Sequence, residues 1–215
     1  MSTPTSTSRT STWIGIALGV VLLGLVAVFA IVLPKTAGAD EGSTSGGDLS
    51  LPDTLPGDYT AADLPDAFTG QYADQADQIS QAQAKSREHG DKVLADVLDE
   101  PAATRTYASK DLKTAVFVQA FRAPGGAFAP DSLPDPEQPQ GAQGAPELVG
   151  VGDGACIVTR TPAQPGQPVD ESAPPTYAQC QVSEGELTVQ VGARGVPEKD
   201  MVDLADHVFG LLQDQ

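Results

Sequence analysis

Cys156 and Cys180 are the only cysteines in the 215 residues, and His89 and His207 the only histidines. Two chemistries are open to these four side chains. Cys156 as a thiolate nucleophile with His207 as its base would make an enzyme. A Cys156–Cys180 bridge would make a stapled domain. An even cysteine pair flanking a 23-residue stretch suits a disulfide in an oxidising compartment, and this reading is the stronger. His89 lies in the polar run SREHGD and reads as a solvated helix residue. His207 precedes Val208 on an apolar-striped segment and reads as a helix flank. Neither has a second histidine or a cysteine at metal-ligand spacing, so no zinc site is expected. GxSxG, P-loop, GxGxxG and HExxH patterns are absent.

Carboxylate pairs for acid–base work can be drawn at Asp96 with Asp99 and at Asp203 with Asp206. Their i, i+3 spacing is that of any acidic helix face, and nothing in the sequence desolvates them as a raised catalytic pKa requires. The spacing of a calcium loop is missing too. The expectation is a protein without catalytic residues, cofactor or metal.

The elements that must position any site begin with a membrane segment. Trp13 to Leu33, WIGIALGVVLLGLVAVFAIVL, is 21 residues free of charge. As a helix it spans about 31 Å, the thickness of a hydrocarbon core. Trp13 suits one interface and Pro34 ends the run. The run exceeds the apolar stretch of a secretory signal, about 7–15 residues, which favours a retained anchor held in membrane lipid. Ala37-Gly38-Ala39 keeps the alternative open: cleavage after Ala39 would release a secreted protein. LPKTAG, residues 33–38, mimics a cell-wall sorting signal, but it follows the apolar run where such signals precede one. Gly15 and Gly19 form a GxxxG, a candidate helix-dimer face, although glycine is common in membrane helices anyway.

Charge and cysteine usage set the orientation: residues 1–12 form a Ser/Thr-rich cytoplasmic tail and residues 34–215 lie outside the plasma membrane. The formal charge is −17, and everything after residue 39 carries 10 basic and 29 acidic residues, a net of −19. Such a surface repels nucleic acid and anionic head groups, so no nucleic-acid partner is expected.

Residues 34–58, rich in Gly, Ser, Thr and Pro, read as a flexible stalk, with Leu51, Leu55 and Leu64 placed to tack its end onto a domain at 59–215. Phe68, Tyr72, Ala76 and Ile79, then Val93, Leu94, Val97 and Leu98, predict a helix from Asp66 to Asp99. Asp66 would cap it, Pro101 would stop it and Gly90 would break it. Its ends would pack and its middle lie exposed, since the middle offers only Ala and Ile. Thr104–Ala108, Thr114–Phe121, Glu147–Val151, Cys156–Arg160, Tyr177–Val182 and Leu187–Val191 read as strands, with turns at SKD, GDG and SEGE. Pro197 to Gln213 is an amphipathic helix on Met201, Leu204, Val208, Leu211 and Leu212, widened by Val202, Ala205 and Phe209. Residues 123–146 and 161–175, rich in Pro, Gly and Gln, predict disordered insertions. Phe128 stands out in the first of them, either packed back on the sheet or offered to a partner.

The predicted architecture is α+β: a two-layer domain of antiparallel sheet with five or six strands, packed by a long N-terminal helix and a C-terminal helix. The Ala/Gly/Pro/Gln/Asp-heavy, Lys-poor composition resembles exported and single-pass envelope proteins of high-GC Gram-positive bacteria, a resemblance that implies no activity. The functional expectation is a membrane-anchored binding or sensing domain whose partner is an envelope protein or cell-wall component. The alternatives are a tethered accessory subunit acting through its anchor and, more remotely, a hydrolase of envelope polymers.

Overall fold

In Ala115–Phe121, Val116, Val118 and Ala120 are sealed from solvent while the residues between them are half-buried. That period of two places one side of a strand in a core and leaves the other for different use. The same alternation recurs along the sheet of this computed structural model, which describes residues 49–125, 128–130, 145–161, 173–213 and 215. The tail 1–12, the apolar run 13–33 with Gly15 and Gly19, the first part of the stalk and the centres of both insertions lie outside the described residues. Among the described residues no helix is long and apolar enough to cross a membrane.

The fold is α+β, with one antiparallel sheet of eight strands and two α-helices among the described residues. The strands are β1 (Thr54–Leu55), β2 (Tyr59–Ala61), β3 (Ala102–Ser109), β4 (Ala115–Phe121), β5 (Pro146–Val151), β6 (Gly154–Thr159), β7 (Tyr177–Glu184) and β8 (Leu187–Ala193). Their order across the sheet is β1-β2-β3-β4-β8-β7-β6-β5. Hairpins β3–β4, β5–β6 and β7–β8 turn where the sequence places them. Gly152 (φ 55°) and Gly185 (φ 60°) supply the left-handed backbone that the last two require. The sheet is wider than the five or six strands expected because β1 and β2 are too short to leave a periodic trace. Residues 49–58 thus belong to the domain and not to a stalk. Leu49, Leu51 and Leu55 are buried, and the Gln215 side chain pairs with both backbone groups of Ser50 (2.8 and 3.2 Å).

The helices are α1 (Ala76–Leu98) and α2 (Glu198–Leu212). Helix α2 follows Pro197 and carries Glu198 and Asp200 in its first turn, where acids complement the helix dipole. It buries Met201, Val202, Leu204, Ala205, Val208, Phe209 and Leu212 against β6, β7 and β8, at about 1.5–3 kcal/mol for each large apolar side chain. Leu211 departs from the expected stripe and is 44% exposed.

Helix α1 differs more from expectation. It begins at Ala76; Asp66 caps nothing, sitting instead in a 3-10 turn, Pro65–Ala67, that precedes a second one at Gly70–Gln75. It runs unbroken through Gly90 and ends at Asp99, which adopts a left-handed conformation (φ 55°) just before Glu100 and Pro101. Its N-terminal end packs as expected, through Ala76 and Ser80, but Val97 near the other end is exposed and the middle is docked as well. Asp91 accepts from the Thr104 hydroxyl (2.7 Å) and backbone N–H, and Arg87 pairs with Asp63. A Cβ on Gly90 would stand 2.6 Å from Thr104 Oγ1, so glycine lets the helix approach β3. Polar contacts fasten this helix, which is why apolar spacing placed its middle in solvent.

The helices lie on opposite faces, so the domain is not two simple layers. Thr104, beneath α1, alternates with Ala103, Arg105 and Tyr107, which share the α2 side with Val116, Val118 and Ala120. The large core lies on that side. A small one of Ala62, Ala67, Phe68 and Ala76, with Tyr72, Ile79 and Leu112 against it, sits under α1.

Candidate binding face

Cys156 and Cys180 stand directly opposite one another on β6 and β7, flanking the second insertion, and are joined as a disulfide (2.04 Å) with no exposure of either residue. The bond removes Cys156 as a nucleophile. His207 is exposed on α2, and His89 is exposed on α1. The drawn carboxylate pairs, Asp96 with Asp99 and Asp203 with Asp206, are all exposed, and Asp203 is occupied by Lys199 (2.6 Å). Asp206 is raised above the usual carboxylate range by partial loss of water and by the negative charges of Asp153 and Asp203. Among the described residues no group of three or more His, Cys, Asp or Glu is placed to hold a metal ion.

The main buried charge cluster is a clasp. Arg105, 6% exposed, donates Nε to Asp63 (2.8 Å) and one Nη to the carbonyls of Leu51 (2.8 Å) and Pro52 (2.9 Å). Its other Nη reaches Asp63 (3.2 Å) and Asp53 (2.9 Å). All five guanidinium N–H groups are thereby used, which leaves the group no donor for a ligand. Burial raises Arg105's desolvation cost, but the Asp63 and Asp53 bonds outweigh it and hold its pKa above the ordinary arginine value. Tyr107 donates to Pro52 O (2.8 Å) beside it, its phenol raised chiefly by burial. The arrangement ties the entry of the chain to β3.

An open cleft of about 520 Å³ lies beside the β1–β2 turn, lined among others by Leu55, Tyr59, Asp66 and Lys110. Nothing there converges on a ligand.

The opposite face of the sheet from α2 is different. Helix α1 lies over β3, and beyond it five strands carry no helix on that side among the described residues. Alternation and register put Phe117, Gln119 and Phe121 of β4 there, with Thr188, Gln190 and Gly192 of β8. Tyr177, Gln179, Gln181 and Ser183 of β7 follow, then Ala155, Ile157 and Thr159 of β6. Pro146, Leu148 and Gly150 of β5 complete it. None of these residues is charged, in a chain of net charge −17.

Across its centre runs a row of directly opposed amides, Gln119–Gln190–Gln181, with Gln179 one pleat away. Gln190 is the hub. Its oxygen accepts from Gln119 Nε2 and from Gln179 Nε2 (3.2 Å), and its nitrogen donates to Gln181 Oε1 (2.7 Å). These bonds orient the amides and leave the oxygens of Gln119 and Gln179 and the nitrogen of Gln181 for other partners. Gly192 lets the Tyr177 hydroxyl lie against β8, where a Cβ would stand 3.2 Å from it. Tyr177's phenol is raised by burial, an effect that Arg194 opposes. At one end of the face the chain leaving β4 folds over the strands: Thr188 Oγ1 donates to Ala123 O (2.9 Å) and Gly125 N–H to Ser183 Oγ (3.0 Å). Phe128, three residues on, is half-buried.

Alternation in the sequence already sets Gln119, with Phe117 and Phe121, opposite Val116, Val118 and Ala120; Gln179, Gln181 and Gln190 escaped notice because each is flanked by apolar residues. The available signal was their period: in TAVFVQAF, YAQCQV and LTVQVG every Gln falls opposite in phase to the buried residues.

Among known proteins, the chain matches no family model, no curated protein and no solved structure.

Proposed function

We propose that this is a single-pass membrane protein, anchored through residues 13–33 with its N-terminus in the cytoplasm, that presents the domain outside the membrane to bind an uncharged envelope ligand. The ligand rests on the glutamine face of β4, β8, β7, β6 and β5. One observation carries the binding reading: sixteen positions on one sheet face hold no charge, although 29 of the chain's residues are acidic. A face exposed only to water would be expected to share in that acidity, as the outer positions of α1 and α2 do. The bridge between Cys156 and Cys180 fits an oxidising compartment and supports the outward orientation.

The test compares full-length protein in detergent micelles with its Gln181→Glu and Lys92→Glu variants for retention on isolated envelope material. Gln181→Glu keeps an acceptor for Gln190 and adds a charge to the face, whereas Lys92 is exposed on α1. Retention lost in the first variant and kept in the second is the expected result. Equal retention of all three would remove the face from the function. Dependence on Gly15 and Gly19 instead would favour an accessory subunit acting through its anchor.

A further inference from the structure

We infer that the ligand of the glutamine face is a neutral glycan, bound through hydroxyl contacts to the amides of Gln119, Gln179 and Gln181 and through ring packing on Tyr177; this rests on the binding function proposed above. Three observations narrow the chemistry. The first is charge: the sixteen strand positions of the face carry no cation, Arg194 stands only at its Tyr177 end, and the strongly negative chain around it repels polyanions.

The second is what the backbone offers. An extended peptide satisfies its own N–H and C=O groups by adding to a sheet edge. The glutamines lie on β4, β8 and β7, inner strands whose backbone groups are paired on both sides, and the one free edge of this face, on β5, is two strands away from β7. Only side chains are on offer, so the ligand must carry its hydrogen-bonding groups on its outside. A polyol does so, and an amide matches it: one planar group provides two N–H donors and a two-lone-pair acceptor for adjacent hydroxyls that each donate and accept.

The third is pre-organisation. The amides are held by Gln190 and not left to find a rotamer, so less side-chain freedom is lost on binding. The row follows the strand spacing of about 4.8 Å, giving repeated contacts along a polymer that lies across the strands. Tyr177 adds an aromatic surface, with its hydroxyl turned in against Gly192.

The experiment presents full-length protein in micelles to immobilised neutral glycans, to glycans of matched length bearing uronic acids, and to an uncharged Gly/Ser peptide. Wild type should bind at least one neutral glycan and bind its uronic counterpart about tenfold or more weakly. Gln181→Glu and Gln181→Met each remove the amide donor left free for the ligand and should lose about tenfold in affinity, the scale of one hydrogen-bonding group left unmatched. Their thermal midpoints should stay near wild type, and Lys92→Glu should bind normally. Uronic glycans binding as well as neutral ones, or neutral binding indifferent to both Gln variants, would overturn the inference. Peptide binding that Gln181→Glu abolishes, or envelope retention without glycan binding, would overturn the glycan and spare the face. No retention on any material would overturn both.

Discussion

Two side chains show how polar groups carry this small domain. Arg105 spends every donor on fixed partners, so its loss leaves the Leu51 carbonyl without this donor and the buried Asp63 with Arg87 alone, while Pro52 O keeps the Tyr107 hydroxyl and Asp53 faces water. Arg105→Met is expected to cost about 3–5 kcal/mol, the scale for breaking a buried ion pair on one side, read as a lowered urea midpoint. It should also expose residues 49–53 to limited proteolysis before the rest unfolds. Asp91 gives the opposite case. Burial raises its pKa, Asp63 adds to that, and the Thr104 bonds and Arg87 only partly offset it. The folded state therefore holds the proton more tightly than the unfolded chain. The stability linked to Asp91 is fully present below its unfolded value and is lost as pH rises through the raised folded value. Asp91→Asn keeps the acceptor for Thr104 without the charge. The variant should be at least as stable as wild type at pH 7, with wild type gaining on it as pH falls toward 4, about the ordinary carboxylate value, in urea titrations at each pH.

Helix α1 tests whether close approach or propensity decides an element. Gly90→Ala should favour an isolated helix by up to about 1 kcal/mol. In place, the new methyl meets Thr104 Oγ1, so the variant is expected to lose about 1–3 kcal/mol in thermal or urea unfolding. Thr104→Ala removes the obstructing oxygen, and the double variant should be clearly less destabilised than the two singles combined. The same helix shows what sequence could and could not reveal. Strands β3 to β8 and helix α2 were legible because apolar residues with period two or 3.6 are the direct imprint of burial on one side. The docking of α1 was not, because Arg87, Gly90 and Asp91 hold it by bonds and by a missing side chain, neither of which leaves a hydrophobic period. β1 and β2 fell to brevity. The glutamine face lay in the residues left over once the buried positions were assigned, and alternation located those residues without showing that four amides converge.

At the scale of the whole molecule, one sheet separates two unequal cores, and the disulfide lies in the larger. Bridging residues 24 apart is worth about 3 kcal/mol on the chain-entropy account, a large share of the stability of a domain this size. A Cys156→Ser/Cys180→Ser double variant should show that loss as a lower urea midpoint. Chains produced in a reducing compartment should show it too, whereas intact protein should resist thiol reagents until unfolded, since neither sulfur residue is exposed. The small core under α1 lies apart from the bridge, so hydrogen exchange should find α1 opening before α2.

The pairing of Gln215 with Ser50 means that the two ends of the folded domain adjoin. They do so beside Leu49, Leu51 and Leu212, on the side of the sheet that α2 covers. The chain could accordingly be rewired. A short linker joining 215 to 49, with new termini opened at Gly152-Asp153, should give a circular permutant that folds with the same hairpins and the same bridge. Such a permutant would carry its attachment point to the β5–β6 turn, moving cargo or tether from one margin of the domain to another without altering a residue of the glutamine row.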